Sequence, residues 1–411
     1  MDLLIVPVPI FDKDQKVEAY MFRYQDGNEI LDTNRGPGRL DGVMMSAPLD
    51  MLNTVGIYTF TMGKPIFVPV TNYMLIANLE QQTDQPPEKV IFLLDGTVKT
   101  EPEYIAGMKR LKGLGFRFAL SKITQVEPYA EVLGLCDFIF FDHRIIDERQ
   151  QQILRLLIAR DYKHLTAIYS HIRTKELFGE VSKAAKGLYE GRFYRTPLTK
   201  GSKGVSPLQV NLIDLLNKVR SDDFEFSAVS STIAKDPALS VALLKLVNSA
   251  YFGARNRISS INQAVTMLGQ QETRKWITTA VAKLLGSDKP SELTRVSLIR
   301  AKFTENLSDL FKMRKEAESL FLTGLFSVLD AILEKPMSEA LDLVHVSDKI
   351  REALVLEKGE YYPVYEFILL YESAQWKNLS RIMIINSIKA SDVYDCYLNA
   401  LCWYRDILTE K

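Results

Sequence analysis

At 411 residues the chain is long enough for two domains rather than one. A hydrophobic share of 47% supplies globular cores, and 51 basic residues balance 51 acidic ones, so no global field draws the chain to nucleic acid or to an anionic membrane. The three cysteines, Cys136, Cys396 and Cys402, fit a reduced compartment and form no zinc pattern; Cys136 reads as a core residue ahead of a strand.

The opening MDLLIVPVPIF is apolar, but an acid at position 2, the lack of a basic start and prolines at 7 and 9 argue against a signal peptide. It reads as a first strand. No uninterrupted apolar run approaches the roughly 20 residues that span a bilayer, so the expectation is a soluble cytoplasmic protein without a membrane partner. Strand and helix signals then alternate. Lys64–Val70 and Lys89–Leu94 are short apolar strands, Pro102–Leu114 is a helix stopped by Gly115, and FRFALS is a strand. The helix Pro128–Leu135, the strand DFIFFD, the helix Ile146–Arg160, the strand HLTAIY and the helix Arg173–Lys186 continue the series. Strands separated by helices in this rhythm require right-handed crossovers and a parallel sheet. About seven or eight such units make an α/β barrel.

The stretch 199–206, TKGSKGVS, is polar and rich in Gly and Ser, as expected of an interdomain linker. It separates a barrel domain, residues 1–198, from an all-helical domain, residues 207–411. In the second half helical periodicity runs almost throughout. Asp236 is placed to cap a helix that begins at Pro237, and Leu239, Leu243, Leu246, Val247 and Ala250 share one face of it. Separate helices are read at Ile261–Met267 and Glu272–Leu285, and one long helix at Lys315–Glu334. In that last helix Phe321, Leu325, Leu329 and Leu333, widened by Phe326, form a stripe that reads first as core and otherwise as the seam of a homodimer. Tyr361, Tyr362 and Tyr365 form an aromatic cluster that could serve an interface.

The ordered string DPAL…LLKLVNSAYFG…ISSI…AV…LG, from about Ser206 to Leu285, resembles the HDOD family. The resemblance implies an all-helical regulatory module, related to the HD phosphohydrolases but without their metal ligands. The only histidine after Gly204 is His345, and no His-Asp dipeptide occurs there, which agrees with a module that holds no metal. Arg274 and Lys275 beside Trp276, with Arg255 and Arg257, could mimic a DNA reader, but acids interleave throughout and direct nucleic-acid binding is not expected. The end of the motif helix, Asn248, Tyr251 and Phe252, combines an amide with two aromatics before Gly253 and is the candidate partner-binding site.

In the first half PIFDKDQKVEAYMFRY, KVIFLLDG, GLGFRFALSK, CDFIFFD and GLYEGRFYRTP resemble, in order, segments of the EAL family, which hydrolyses cyclic di-GMP. The whole chain resembles EAL–HDOD hybrid signalling proteins of the YuxH type, bacterial by that likeness. EAL catalysis needs two divalent cations held by carboxylates and an Asn at strand ends. Placed by strand register to within about one residue, those positions fall on Met21, Pro69, Phe92, Ser121, Lys122, Phe140, Ile168 and His171, with Glu190 at the closing Gln. Asp95, Asp142 and Glu190 are the matching acids that remain. Positions that hold cyclic di-GMP in the family fall on Val8 and Gln25, with Arg23 able to substitute for the latter. The resemblance therefore implies a degenerate barrel with no catalytic residues, no metal and no cofactor. The expected role is a signalling scaffold that binds other proteins. The competing reading is a cyclic di-GMP phosphodiesterase or receptor.

Overall fold

The computed structural model describes residues 3–26, 47–142, 148–196, 207–219, 224–234, 237–248, 258, 260–285, 291–344 and 346–409. Strands β1 (Leu3–Phe11) and β2 (Val17–Asp26) form an antiparallel hairpin in which Val8 faces Met21 and Leu4 faces Gln25. Six further strands follow: β3 (Ile66–Pro69), β4 (Val90–Leu94), β5 (Arg117–Leu120), β6 (Phe138–Asp142), β7 (Thr166–Ile172) and β8 (Leu188–Gly191). From β2 onward neighbours pair parallel, and β8 closes on β1 in antiparallel register, Ile10 opposite Glu190. The result is a closed eight-stranded barrel in sequence order, in which β1 alone runs against the rest. Helices such as Pro102–Gly113, Glu148–Asp161 and Lys175–Ala184 connect the parallel strands.

The barrel interior is apolar. Ile10, Ala19, Met21, Phe67, Ile91, Ala119, Phe140 and Ile168 meet there, with Leu93, Phe138 and Leu188 against them. Phe67 meets Phe138 and Phe140 edge-on at centroid distances of 5.2 and 5.4 Å. The alternation of strand side chains fixes what comes next. In β4 the inward residues are Ile91 and Leu93, so Phe92 lies on the outer face, where it packs against Phe116 and Phe118.

The closure has one weak seam. Strand β8 pairs with β1 only at Ile10 and Phe11, leaving the first half of β1 without a strand on that side. A strand residue presents its N–H and C=O to the same side, and the side alternates along the chain. At Ile5 both groups are met by one hydroxyl: Tyr371 accepts from the Ile5 N–H at 3.3 Å and donates to the Ile5 C=O at 2.8 Å. Two and four residues on stand Pro7 and Pro9, which have no N–H to leave unpaired.

Tyr371 belongs to the C-terminal region, and contacts assign that region to the barrel. The first compact unit comprises residues 1–196 and 367–401; the second comprises 197–366 and 402–411. The division expected from sequence, with 207–411 as one helical domain, therefore differs from the observed one. In the first unit Arg195 pairs with Glu372, and Arg192 donates to Ser373. Burial opposes the Arg195 charge, but Glu372 and Tyr194 more than offset that and raise its pKa further.

Among the described residues the elements of the second unit are all helices, in agreement with the expected class. Gly269, at φ 74 and ψ 175, breaks Ile261–Leu285 into two helices, as the sequence suggested. The expected helix Lys315–Glu334 is instead divided into Ala317–Phe326 and Leu329–Leu333. Its stripe Phe321, Leu325, Phe326, Leu329 and Leu333 is buried within this unit, which removes it as a free dimer seam. Tyr361 is buried as well and hydrogen-bonds Glu316, so it is not an exposed interface ring. The helices Ser291–Leu307 and Ala317–Phe326 cross closely at Gly324, where an added Cβ would lie 2.4 Å from the Arg300 carbonyl oxygen. Small polar groups fill the crossing: Ser297 donates to the Leu325 C=O and Thr304 to the Leu320 C=O. Among the described residues no helix is long and apolar enough to cross a membrane.

Candidate functional site at the barrel mouth

In barrels of parallel strands, chemistry belongs at the C-terminal ends of the strands. Continuing the inward alternation to that end places Arg23 and Gln25 above Met21, Asp142 above Phe140, and Glu190 above Leu188. An apolar floor thus carries a charged layer. Glu190, 3% exposed, has both oxygens engaged: Arg23 Nη2 donates to Oε1 at 3.0 Å and the His171 backbone N–H to Oε2 at 3.0 Å. The His171 ring also reaches across to β6, its Nε2 lying 3.2 Å from Asp142 Oδ2. His171 sits at φ 64, where the register between β7 and β8 shifts, so an irregular backbone turns both its amide and its ring into the mouth.

Asp95 follows β4 and is held at the rim. The Thr97 hydroxyl and amide donate to its Oδ1 at 2.6 and 3.0 Å, and Lys122 Nζ lies 3.3 Å from Oδ2. Burial raises the Asp95 pKa, but Thr97 and the Lys122 ammonium outweigh it and hold the carboxyl below its usual range. Lys122 is also at positive φ, 57°. Ser121 turns back to β4, its hydroxyl donating to the Leu94 C=O at 3.0 Å.

Most residues selected from sequence therefore do gather here. Met21, Phe140 and Ile168 form the floor, and Asp95, Lys122, Asp142, His171 and Glu190 the layer above it. Phe92 is the exception. It is fully buried on the outer face, and Leu93 occupies the inward position. Pro69 ends β3, half-buried, and Val8 lies on β1 opposite Met21. Arg23, weighed only as a stand-in for a nucleotide-binding arginine, is the partner of Glu190.

The donor set does not suit a pair of hard cations. Met, Phe and Ile point inward where oxygen ligands would be needed. Asp95 faces Lys122, Glu190 faces Arg23, and Asp142 faces the His171 ring. Among the described residues no group of three or more His, Cys, Asp or Glu side chains is arranged to hold a metal.

In the helical unit Leu239, Leu243 and Val247 are buried on one face. Asn248 is occupied by backbone: its amide donates to the Leu244 and Ile258 carbonyls at 2.7 and 2.8 Å and accepts from the Ile258 N–H at 2.8 Å. That makes it a clasp between the motif helix and the segment ahead of Ile261, not a free partner-binding group. Tyr251, Phe252, Asp236, Arg255, Arg257 and His345 lie outside the described residues. Arg274 is spent on the Val219 C=O at 2.8 Å and on Glu318 at 2.6 Å, which takes it out of a DNA-reading role.

The family model for the HDOD domain matches residues 206–344, directly behind the barrel. The chain thus joins a closed eight-stranded barrel to a segment that matches the HDOD domain. It is 27% identical over 418 aligned residues to the uncharacterized protein YuxH of Bacillus subtilis, covering 100% of both chains. It is 24% identical over 405 residues to the cyclic di-GMP phosphodiesterase CdgJ of Vibrio cholerae, covering 97% of this chain and 91% of that one. Among solved structures it is similar to Klebsiella pneumoniae BlrP1 in a manganese and cyclic di-GMP complex, at 10% identity and a TM-score of 0.38. That match covers 46% of this chain and 55% of BlrP1, so the chain spans just over half of that protein's length.

Proposed function

We propose that this EAL–HDOD chain is a non-enzymatic adaptor in bacterial cyclic di-GMP signalling, working in the cytoplasm through protein–protein contact. One observation carries the reading: among the described residues, the three acids at the barrel mouth are each matched by a side chain of the protein itself, Asp95 by Lys122, Glu190 by Arg23 and Asp142 by His171. Protein cations and donors occupy the electrostatic role that divalent ions play in EAL catalysis. A dication would have to displace Arg23 and Lys122 and would still meet Met21, Leu93, Phe140 and Ile168 instead of oxygen ligands. The closed barrel remains as a rigid support, and the helical unit supplies the output.

The likeness to CdgJ along nearly the whole chain favours a second reading, a phosphodiesterase or receptor for cyclic di-GMP. One preparation separates the two. Purified full-length protein with cyclic di-GMP and excess Mg²⁺ or Mn²⁺ gives no linear product above a protein-free control, and its melting temperature does not rise with the nucleotide. Metal-dependent product that disappears in Asp142→Asn or Asp95→Asn overturns the adaptor reading. A nucleotide-dependent rise in melting temperature without product replaces it with the receptor.

A further inference from the structure

The helix Trp376–Ile385 packs Leu379, Ser380 and Met383 inward and turns a different chemistry outward. Lys377, Arg381 and Ile385 follow one another at i, i+4 and i+8 and are all exposed, as is the neighbouring Ile384. Ile385 is 79% exposed and Ile384 38%. The turn after the helix adds exposed Lys389. Between Glu372 and Asp392 the sequence contains no acid, although acids and bases balance over the whole chain. Among the described residues Lys377, Arg381 and Lys389 have no ion-pair partner.

A second feature adjoins this row. At the start of the helix lies a shallow pocket of about 390 Å³ lined by Ala374, Gln375, Trp376, Lys377 and Asn378. The indole is held by an edge-on contact with Tyr371 at 5.6 Å, so one wall is preset by the residue that satisfies Ile5.

We infer that this face is a docking surface for an acidic, partly apolar segment of a partner protein. The three cations call for carboxylates. The two isoleucines call for apolar side chains, because covering their exposed surface removes apolar area from water. The shallow depression beside Trp376 adds an aromatic surface on which an apolar partner side chain can rest, with charge around it. A lipid surface would also reward the cations, but two isoleucines on one short helix present a smaller apolar face than an interfacial membrane helix does. The inference rests on the adaptor reading and gives that adaptor a contact surface.

The test uses the full-length protein and a labelled synthetic peptide of repeating Glu and Leu, followed by fluorescence anisotropy and by Trp emission. Binding is expected to weaken about tenfold in Lys377→Glu/Arg381→Glu, as expected when rim charges are reversed, and to fall again in Ile385→Ser. Lys389→Glu gives an independent reduction, and added salt weakens the wild type. Unchanged melting curves show that the variants stay folded. Equal binding by all variants, or no binding by the wild type, overturns the inference. So does preferential binding of phosphatidylserine vesicles or a DNA duplex that the same variants abolish. Phosphodiesterase activity in the wild type would remove the adaptor reading and leave the peptide result standing.

Discussion

The Tyr371 hydroxyl bonds both backbone groups of Ile5, a residue 366 positions away in the chain. It does at one point what a neighbouring strand would do along an edge. Tyr371 is fully buried, so its removal leaves no water to take over. Tyr371→Phe keeps the ring and strips both hydrogen bonds from a buried N–H and C=O. The expected cost is about 1–3 kcal/mol for each group left unsatisfied. Denaturant unfolding measures the loss, and hydrogen exchange of the Ile5 amide should quicken while the helices of the second unit keep their protection.

Gly324→Ala tests the helix crossing. The new methyl would meet the Arg300 carbonyl at 2.4 Å, and backbone cannot swing aside as a side chain can. A loss of about 1–3 kcal/mol or more is expected from overpacking. Ser327→Ala, one turn away and without a steric conflict, removes a hydroxyl that accepts from Arg300 and donates to the Gly324 C=O; it should cost less, since the Ser327 C=O stays beside Arg300. Comparable losses in both would place the strain elsewhere.

The Asp95 carboxyl provides a test by pH. Its pKa is lowered in the folded state, so its contribution to stability is present above the ordinary value of 3.8 and is lost as pH falls through the lowered one. Thr97→Val removes the hydroxyl bond and should move the Asp95 midpoint upward, as followed by carboxyl NMR. Lys122→Ala should move it the same way. No upward movement in either variant would mean that neither group holds the charge.

The motif helix separates packing from clasping. Leu243 is fully buried, and Leu243→Ala should cost about 2–5 kcal/mol. Asn248→Ala should also destabilise, through the loss of its bonds to Ile258, and should speed exchange at the Ile258 amide. An Asn248→Ala protein of wild-type stability and protection would return that residue to the partner-binding role.

Period and punctuation made the barrel legible, because each strand is a short apolar run closed by a turn signal and followed by a helix. The floor of the mouth was legible for the same reason: Met21, Phe140 and Ile168 sit at regular register. Phe92 was misplaced because the strand VIFLL, Val90–Leu94, is apolar at every position, so period two leaves no trace in it. The pairing of Arg23 with Glu190 joins residues 167 apart and depends on barrel closure, which no local pattern encodes. The short helices Ala47–Val55, Ile57–Thr61 and Asn72–Ile76 went unread, being too brief to show a full amphipathic repeat. The return of residues 367–401 to the barrel was equally hidden, because their helical pattern does not say which core they join.

That return has a consequence for the order of synthesis. A ribosome makes about 5–20 residues per second and domains generally fold from the N-terminus as they emerge. Here Ile5 is made 366 residues before Tyr371, so the barrel strands are translated well before their seam bond can form. The intervening helical stretch, 197–366, has left the ribosome before the seam can form. During that wait the outer edge of the first strand is open to any nascent chain nearby. Pro7 and Pro9, which cannot donate to a foreign strand, are what the growing protein has to protect it.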